Sequence, residues 1–202
     1  KIISKRGFDI HQFHNEYDDD LNKRHPEFLK ECLNKANKKP LFTFLHFTKI
    51  HTITVSEILK KYEWNDERFY NNKHDNLLNY DISFKEAGNY AKIIHKTIKD
   101  LGIEENTIVI FFSDHGTGIG ERFGERNYGS FTYEETIRSF YFFIGKNIIK
   151  NRVNNKLRES IDILPTILEL IGIESNELPG ESVAQFLVNE NKKLDNKSHV
   201  FS

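Results

Sequence analysis

Apolar positions recur along the chain in two rhythms, one helical and one extended. Leu21, Phe28, Leu29, Cys32 and Leu33 fall at helical spacing behind the acidic run Asp18 to Asp20, which suits the positive end of a helix dipole and predicts a surface helix over 22–36. Pro40 then opens Leu41 to Phe47, a strand by residue type and length, with imidazoles at its end in His46 and beyond it in His51. The span 64–79, rich in Asn, Asp and Lys, reads as a surface loop. Phe84, Ala87, Tyr90, Ala91, Ile94, Ile98 and Leu101 return every three or four residues until Gly102, which predicts a long helix closed by a glycine just past its end. After a short turn, Thr107 to Phe112 is a run of β-branched and aromatic residues, the signature of a buried strand. Ser139 to Gly145 forms a third strand. Ser160 caps a last helix with Asp162 and Pro165 in its first turn, an apolar face of Ile163, Ile167, Leu168, Leu170 and Ile171, and Gly172 at its end.

Helix, short turn and buried strand make half of a βαβ unit. The expected fold class is therefore α/β, a mainly parallel sheet with helices on both faces. Residues 1–39 read as a helical connector, 40–175 as the body of the domain, and 176–202 as its polar tail, with one amphipathic patch from Val183 to Val188. No internal repeat or low-complexity linker interrupts the chain.

Composition narrows the partners. With 202 residues, 38% hydrophobic, 29% charged and a net charge of −1, the chain can bury a core but shows no basic footprint for nucleic acid or an anionic membrane. No run of about 18 apolar residues is present, so no membrane span is expected. One cysteine, Cys32, excludes an internal disulfide framework. Lys1 to Arg6 lack the apolar stretch of a signal peptide, which leaves the compartment open with a lean toward the cytoplasm. The absence of any methionine, an initiator included, reads as a piece of a longer protein.

The candidate chemistry sits where the strand 107–112 ends in Ser113-Asp114-His115-Gly116, since open α/β sheets bind ligands beyond the carboxyl ends of their strands. Three site types suit an acid beside an imidazole: a metal site, an Asp-His pair serving a nucleophile, and a nucleotide site using glycines 116, 118, 120, 124 and 129. Gly116-x-Gly118-x-Gly120 lacks the G-x-G-x-x-G spacing, which removes the nucleotide reading. No G-x-S-x-G elbow is present, and neighbours on one strand point to opposite faces, which disfavours a triad. At a strand end the backbone can bend so that both side chains reach one metal. His11 and His14 have no third ligand nearby and read as exposed histidines of a connector.

Five segments carry a resemblance: Leu45 to His51, Asn106 to Gly116, Tyr133 to Arg138, Asp162 to Leu168, and Pro179 to Val183. They follow one another as motifs do in sulfatases of the alkaline-phosphatase superfamily. The match resembles the second half of that catalytic domain, so an incomplete alkaline-phosphatase-like fold is implied. The resemblance makes Asp114 and His115 ligands of a divalent cation, Ca2+ first with Mn2+, Zn2+ and Mg2+ as alternatives. It makes His51 the histidine that touches the sulfate or phosphate group, a catalytic and substrate-binding position. Arg126 stands just upstream of where relatives place a substrate-binding lysine or histidine, and Arg138 is expected to pair structurally. The implied activity is hydrolysis of small-molecule or saccharide sulfate esters. A phosphodiesterase, phosphonate hydrolase or phosphoethanolamine-type transferase on the same fold is the alternative, and a non-catalytic sulfatase-like binding domain the second. The family's C/S-x-P-x-R nucleophile motif is not found around Cys32, which reads as a buried helix residue. The nucleophile, of formylglycine type, and the first acidic ligands are expected upstream of Lys1, leaving these residues alone inactive. Oligomeric state stays open.

Overall fold

A computed structural model describes residues 7–15, 17–128, 130–174 and 177–195. Gly129 of the glycine loop, the first six residues and the end of the polar tail lie outside them. The chain divides into two compact units, Lys1–Gly102 and Ile103–Ser202.

The first unit is helical, with α1 (Leu21–Ala36) and α2 (Lys49–Glu57) both packed on α4 (Lys73–Asp100), and α3 (Arg68–Asn71) leading into it. Asp20 caps α1, its carboxylate accepting from Asn22 N, and Asn37 closes it in the left-handed region. The acidic start therefore works through a single capping acid. Along α4, Tyr90, Ile94, Thr97 and Ile98 are buried at the spacing of one helix face. Phe84 is exposed, and Ser83, fully buried, takes the inward position instead. Gly102 stands past the end with φ +68° and donates to Lys99 O at 2.9 Å, the geometry expected of it.

Two expectations fail in this unit. Residues 64–79 are not a loop, because α3 and the first turns of α4 occupy most of them. Asn76 explains how a polar stretch manages this: it is 1% exposed, and its amide donates to Phe69 O at 2.9 Å, tying α3 to α4. Leu41 to Phe47 forms no strand and joins no sheet among the described residues. A strand needs a neighbouring backbone to complete its ladder. Here Phe47 stacks on Tyr90 at 4.2 Å and holds the segment by a side chain instead, leaving Leu41, Phe42 and Phe44 exposed.

In the second unit β1 (Val109–Phe112) pairs with β2 (Tyr141–Ile144) in the register Val109↔Ile144 to Phe112↔Tyr141, with Phe111 stacked on Phe142 at 5.0 Å. The pairing is antiparallel, so the mainly parallel sheet is not what the described residues form. Its reason is the connection. A parallel return needs a crossover helix, whereas residues 113–140 are spent on the glycine loop and the four-residue α5 (Glu134–Ile137). Ile119, Phe143, Ile148, Val183, Ala184 and Phe186 make the core of this unit. The helix predicted after Ser160, α6 (Ile163–Leu170), is introduced by a 3-10 turn whose cap is Glu159 with Asp162, not Ser160. The amphipathic patch forms α7 (Ala184–Val188), and Arg152 lies 4.0 Å over the Phe186 ring while donating to the carbonyls of Phe186 and Asn189.

Candidate metal centre

β1 ends where Ser113 locks onto the start of β2. Ser113 N donates to Phe140 O at 3.0 Å, and Phe140 N donates back to Ser113 Oγ at 3.2 Å. The next two residues leave the sheet. Asp114 Oδ1 accepts from His115 N at 3.0 Å, which turns both side chains to one side, and the Asp114 side chain is 80% exposed. His115 Nδ1 lies 2.6 Å from Gly116 O, a distance only an N–H···O bond accounts for, so Nδ1 carries the proton. In the neutral ring the lone pair is then on Nε2. That atom stands 3.7 Å from Asp114 Oδ2.

Gly116 makes the turn possible. Its N–H donates to Thr136 O at 2.9 Å, and a Cβ placed there would lie 2.3 Å from Glu135 O and 3.0 Å from Arg138 O. Helix α5 is thus pressed backbone to backbone against the residue after the imidazole. Thr136 is buried, and its hydroxyl donates toward the carbonyls of Phe131 and Tyr133, both at 2.9 Å. The loop beyond folds back on itself. Gly118 and Asn127 exchange two backbone bonds of 2.7 and 2.9 Å, and Asn127 adopts φ +69°. Tyr128 then brings its ring to 4.0 Å from that of His115. Arg122 holds the loop to α5 through Glu135 at 2.5 Å and lies 4.5 Å over the Tyr133 ring.

Charge within the loop is buried as well as exposed. Glu125 is 3% exposed, with no donor to either carboxylate oxygen among the described residues. Burial first, then the nearby Glu135 carboxylate, push its pKa up, so it is held toward the neutral acid. A neutral Glu125 can donate to Glu135, whose own pKa is lowered by its backbone hydrogen bond first and by Arg122.

Asp114 and His115 fit a divalent cation as two of its ligands. Ligands on one ion sit about 2.0–2.6 Å from it, so a pair 3.7 Å apart can share it without rearrangement. No group of three or more potential ligands occurs among the described residues. Arg126 is 8% exposed on the returning arm of the loop, between Glu125 and Asn127. His51 falls in the first turn of α2 in the other unit, half-buried, because the chain turns helical at Lys49. Arg138 Nη1 stands 3.7 Å from Glu134 on the surface. Cys32 is 4% exposed within α1, and burial raises its pKa, which suits a packing residue and not a nucleophile. Tyr128 was not legible as a site residue. Its only signal was an aromatic between Asn127 and Gly129 in a glycine-dotted loop.

Residues 3–173 match the family model Sulfatase, and the chain belongs to the sulfatase family of the alkaline-phosphatase superfamily. It is 29% identical over 181 residues to an endo-4-O-sulfatase of Bacteroides thetaiotaomicron, covering 79% of this chain and 35% of that protein. It is 30% identical over 118 residues to the low-salt glycan biosynthesis sulfotransferase Agl7 of Haloferax volcanii, covering 56% and 29%. The crystal structure of a putative sulfatase from Bacteroides thetaiotaomicron VPI-5482 superposes with a TM-score of 0.54 at 24% identity, covering 73% of this chain and 30% of that one, a likeness of fold. The chain spans about a third of these relatives. No helix among the described residues is long and apolar enough to cross a membrane.

Proposed function

We propose that the intact protein hydrolyses sulfate esters and that Asp114 and His115 hold a divalent cation at its reaction centre. The observation that carries this reading is the pair itself. Its carboxylate and imidazole Nε2 are turned to one side of a strand end, 3.7 Å apart, in a chain of the sulfatase family. When bound, such a cation draws negative charge off the transferring oxygens. The chain's own part is to prepare the ligands. Gly116 O fixes the protonated Nδ1 and thereby frees Nε2, while the Asp114 carboxylate offers the hard oxygen that divalent cations favour. The imidazole brings Mn2+ or Zn2+ into contention beside Ca2+, which prefers oxygen donors.

His51 is assigned to contact with the sulfate group, and Arg126 to positive charge on the loop that follows the metal ligands. No C/S-x-P-x-R motif occurs in the 202 residues, so the nucleophile is assigned to a part of the intact protein outside them. One relative is named for glycan biosynthesis and another as an endo-4-O-sulfatase, which supports a saccharide sulfate as the substrate class.

The test uses the full-length protein with 4-nitrophenyl sulfate and, beside it, 4-nitrophenyl phosphate. Sulfate release is expected to stop on chelation, to return with Mn2+ or Ca2+, and to fall by about 100-fold in Asp114→Asn. Turnover indifferent to both treatments would overturn the metal assignment. Preference for the phosphate ester would move the activity to phosphoryl transfer.

A further inference from the structure

The candidate metal ligand His115 donates its Nδ1–H to Gly116 O, and its Nε2 stands 3.7 Å from Asp114 Oδ2. Its side chain is 36% exposed, so part of the ring faces solvent while that bond fixes the tautomer. A further contact comes from Tyr128, whose ring centroid is 4.0 Å away at an interplanar angle of 39°. At that distance the phenyl ring walls off one face of the imidazole.

Three features of the loop place Tyr128 there. The paired backbone bonds between Gly118 and Asn127 set the residue that precedes it. Asn127 itself sits at φ +69°, a backbone conformation that asparagine adopts more readily than most residues with a Cβ. Gly118 permits the close approach of the two arms, since a Cβ on it would stand 3.2 Å from both Asn127 O and the Glu125 side chain. Arg122 and Glu135 then pin the whole loop to the helix that abuts Gly116.

We propose that Tyr128 is a positioning residue for His115, its ring holding the imidazole at the angle that aims Nε2 beside the Asp114 carboxylate. This rests on the metal reading of Asp114 and His115. The contact with His115 is ring on ring, so phenylalanine should substitute for the tyrosine.

The experiment titrates Mn2+ into the full-length protein, reads free Mn2+ by electron paramagnetic resonance, and records the His115 tautomer in metal-free protein by long-range 1H–15N NMR. Tyr128→Ala is expected to weaken Mn2+ about tenfold and to replace the single Nδ1–H tautomer by an averaged signal, as loss of support around a metal ligand does. Tyr128→Phe should keep both readouts at wild type. Tyr128→Leu fills similar volume without a ring and should behave as Tyr128→Ala, which carries the test if the alanine variant does not fold. Wild-type affinity and tautomer in Tyr128→Leu, or equal losses in Tyr128→Phe and Tyr128→Leu, would overturn the proposal. Asp114→Asn and His115→Ala separate the two layers. If both bind Mn2+ as wild type does, the metal site itself is refuted, whereas their loss of binding beside an unaffected Tyr128→Leu refutes only the positioning role.

Discussion

Replacing Gly116 by alanine adds one methyl group at the point where the strand end, the imidazole and α5 converge. The φ of Gly116 lies outside the left-handed region, so space and not backbone freedom demands glycine. The new Cβ would meet Glu135 O at 2.3 Å and Arg138 O at 3.0 Å, both backbone atoms that no side-chain rotation can clear. Restoring ordinary contact requires a shift of roughly 1 Å, and the Gly116 N to Thr136 O bond of 2.9 Å lies directly in its path. Overpacking of this kind costs about 1–3 kcal/mol and the weakened hydrogen bond about 1 kcal/mol more, so about 2–4 kcal/mol in all. For a domain of this size that lowers the melting temperature by about 4–16 °C. Because Gly116 O is also the anchor of His115 Nδ1, the same shift should reduce Mn2+ affinity. Circular dichroism melts of Gly116→Ala and wild type, with Mn2+ titrations of each, check both. Gly88 supplies the control. It lies within α4 with nothing within 4 Å of its would-be Cβ, so Gly88→Ala should stabilise by about 0.5–1 kcal/mol. A melting temperature for Gly116→Ala within about 1 °C of wild type would refute the steric argument.

Asp162 is fully buried, with Oδ1 accepting from Glu181 N at 2.8 Å and Oδ2 from Glu159 N at 3.1 Å. Asp162→Asn turns one acceptor into a donor facing a donor and should cost about 1–3 kcal/mol, read as a lower urea midpoint; an unchanged midpoint would contradict the bonding scheme. His25 is buried beside Tyr90, and burial first, then His14 and His46, lower its pKa from 6.5 to about 4. The folded state therefore refuses a proton that the unfolded chain accepts, so stability present above pH 6.5 is lost as the pH falls toward 4, by up to about 3 kcal/mol. Melts at pH 7 and pH 4.5 should show a steeper loss in wild type than in His25→Phe, and parallel losses would discard the assignment.

The residues that organise the candidate site were legible one by one. An apolar run that ends in an acid and an imidazole announces a strand end, and its place in a chain of five ordered motifs announced the family. The relation between those residues was not legible. That Nδ1 is the protonated nitrogen depends on a carbonyl one residue away pointing back at it, and Tyr128 reaches His115 only because Gly118 and Asn127, nine positions apart, meet as a bridge.

By itself the sequence determined what short-range chemistry controls: α1 behind a capping acid, the buried face of α4 with Gly102 past its end, the apolar strand before Asp114, and the inert setting of Cys32. Tertiary structure alone decided the rest. Residues 41–47 have a strand's composition yet form no ladder among the described residues, and the polar stretch 64–79 is helical because Asn76 finds a buried carbonyl. β1 and β2 run antiparallel, and among the described residues the helix between them is the four-residue α5. The physical reason is common to all three. Periodicity and capping act over one or two turns of chain, whereas a ladder, a buried polar bond and a ring laid on an imidazole each need a partner supplied from elsewhere in the fold.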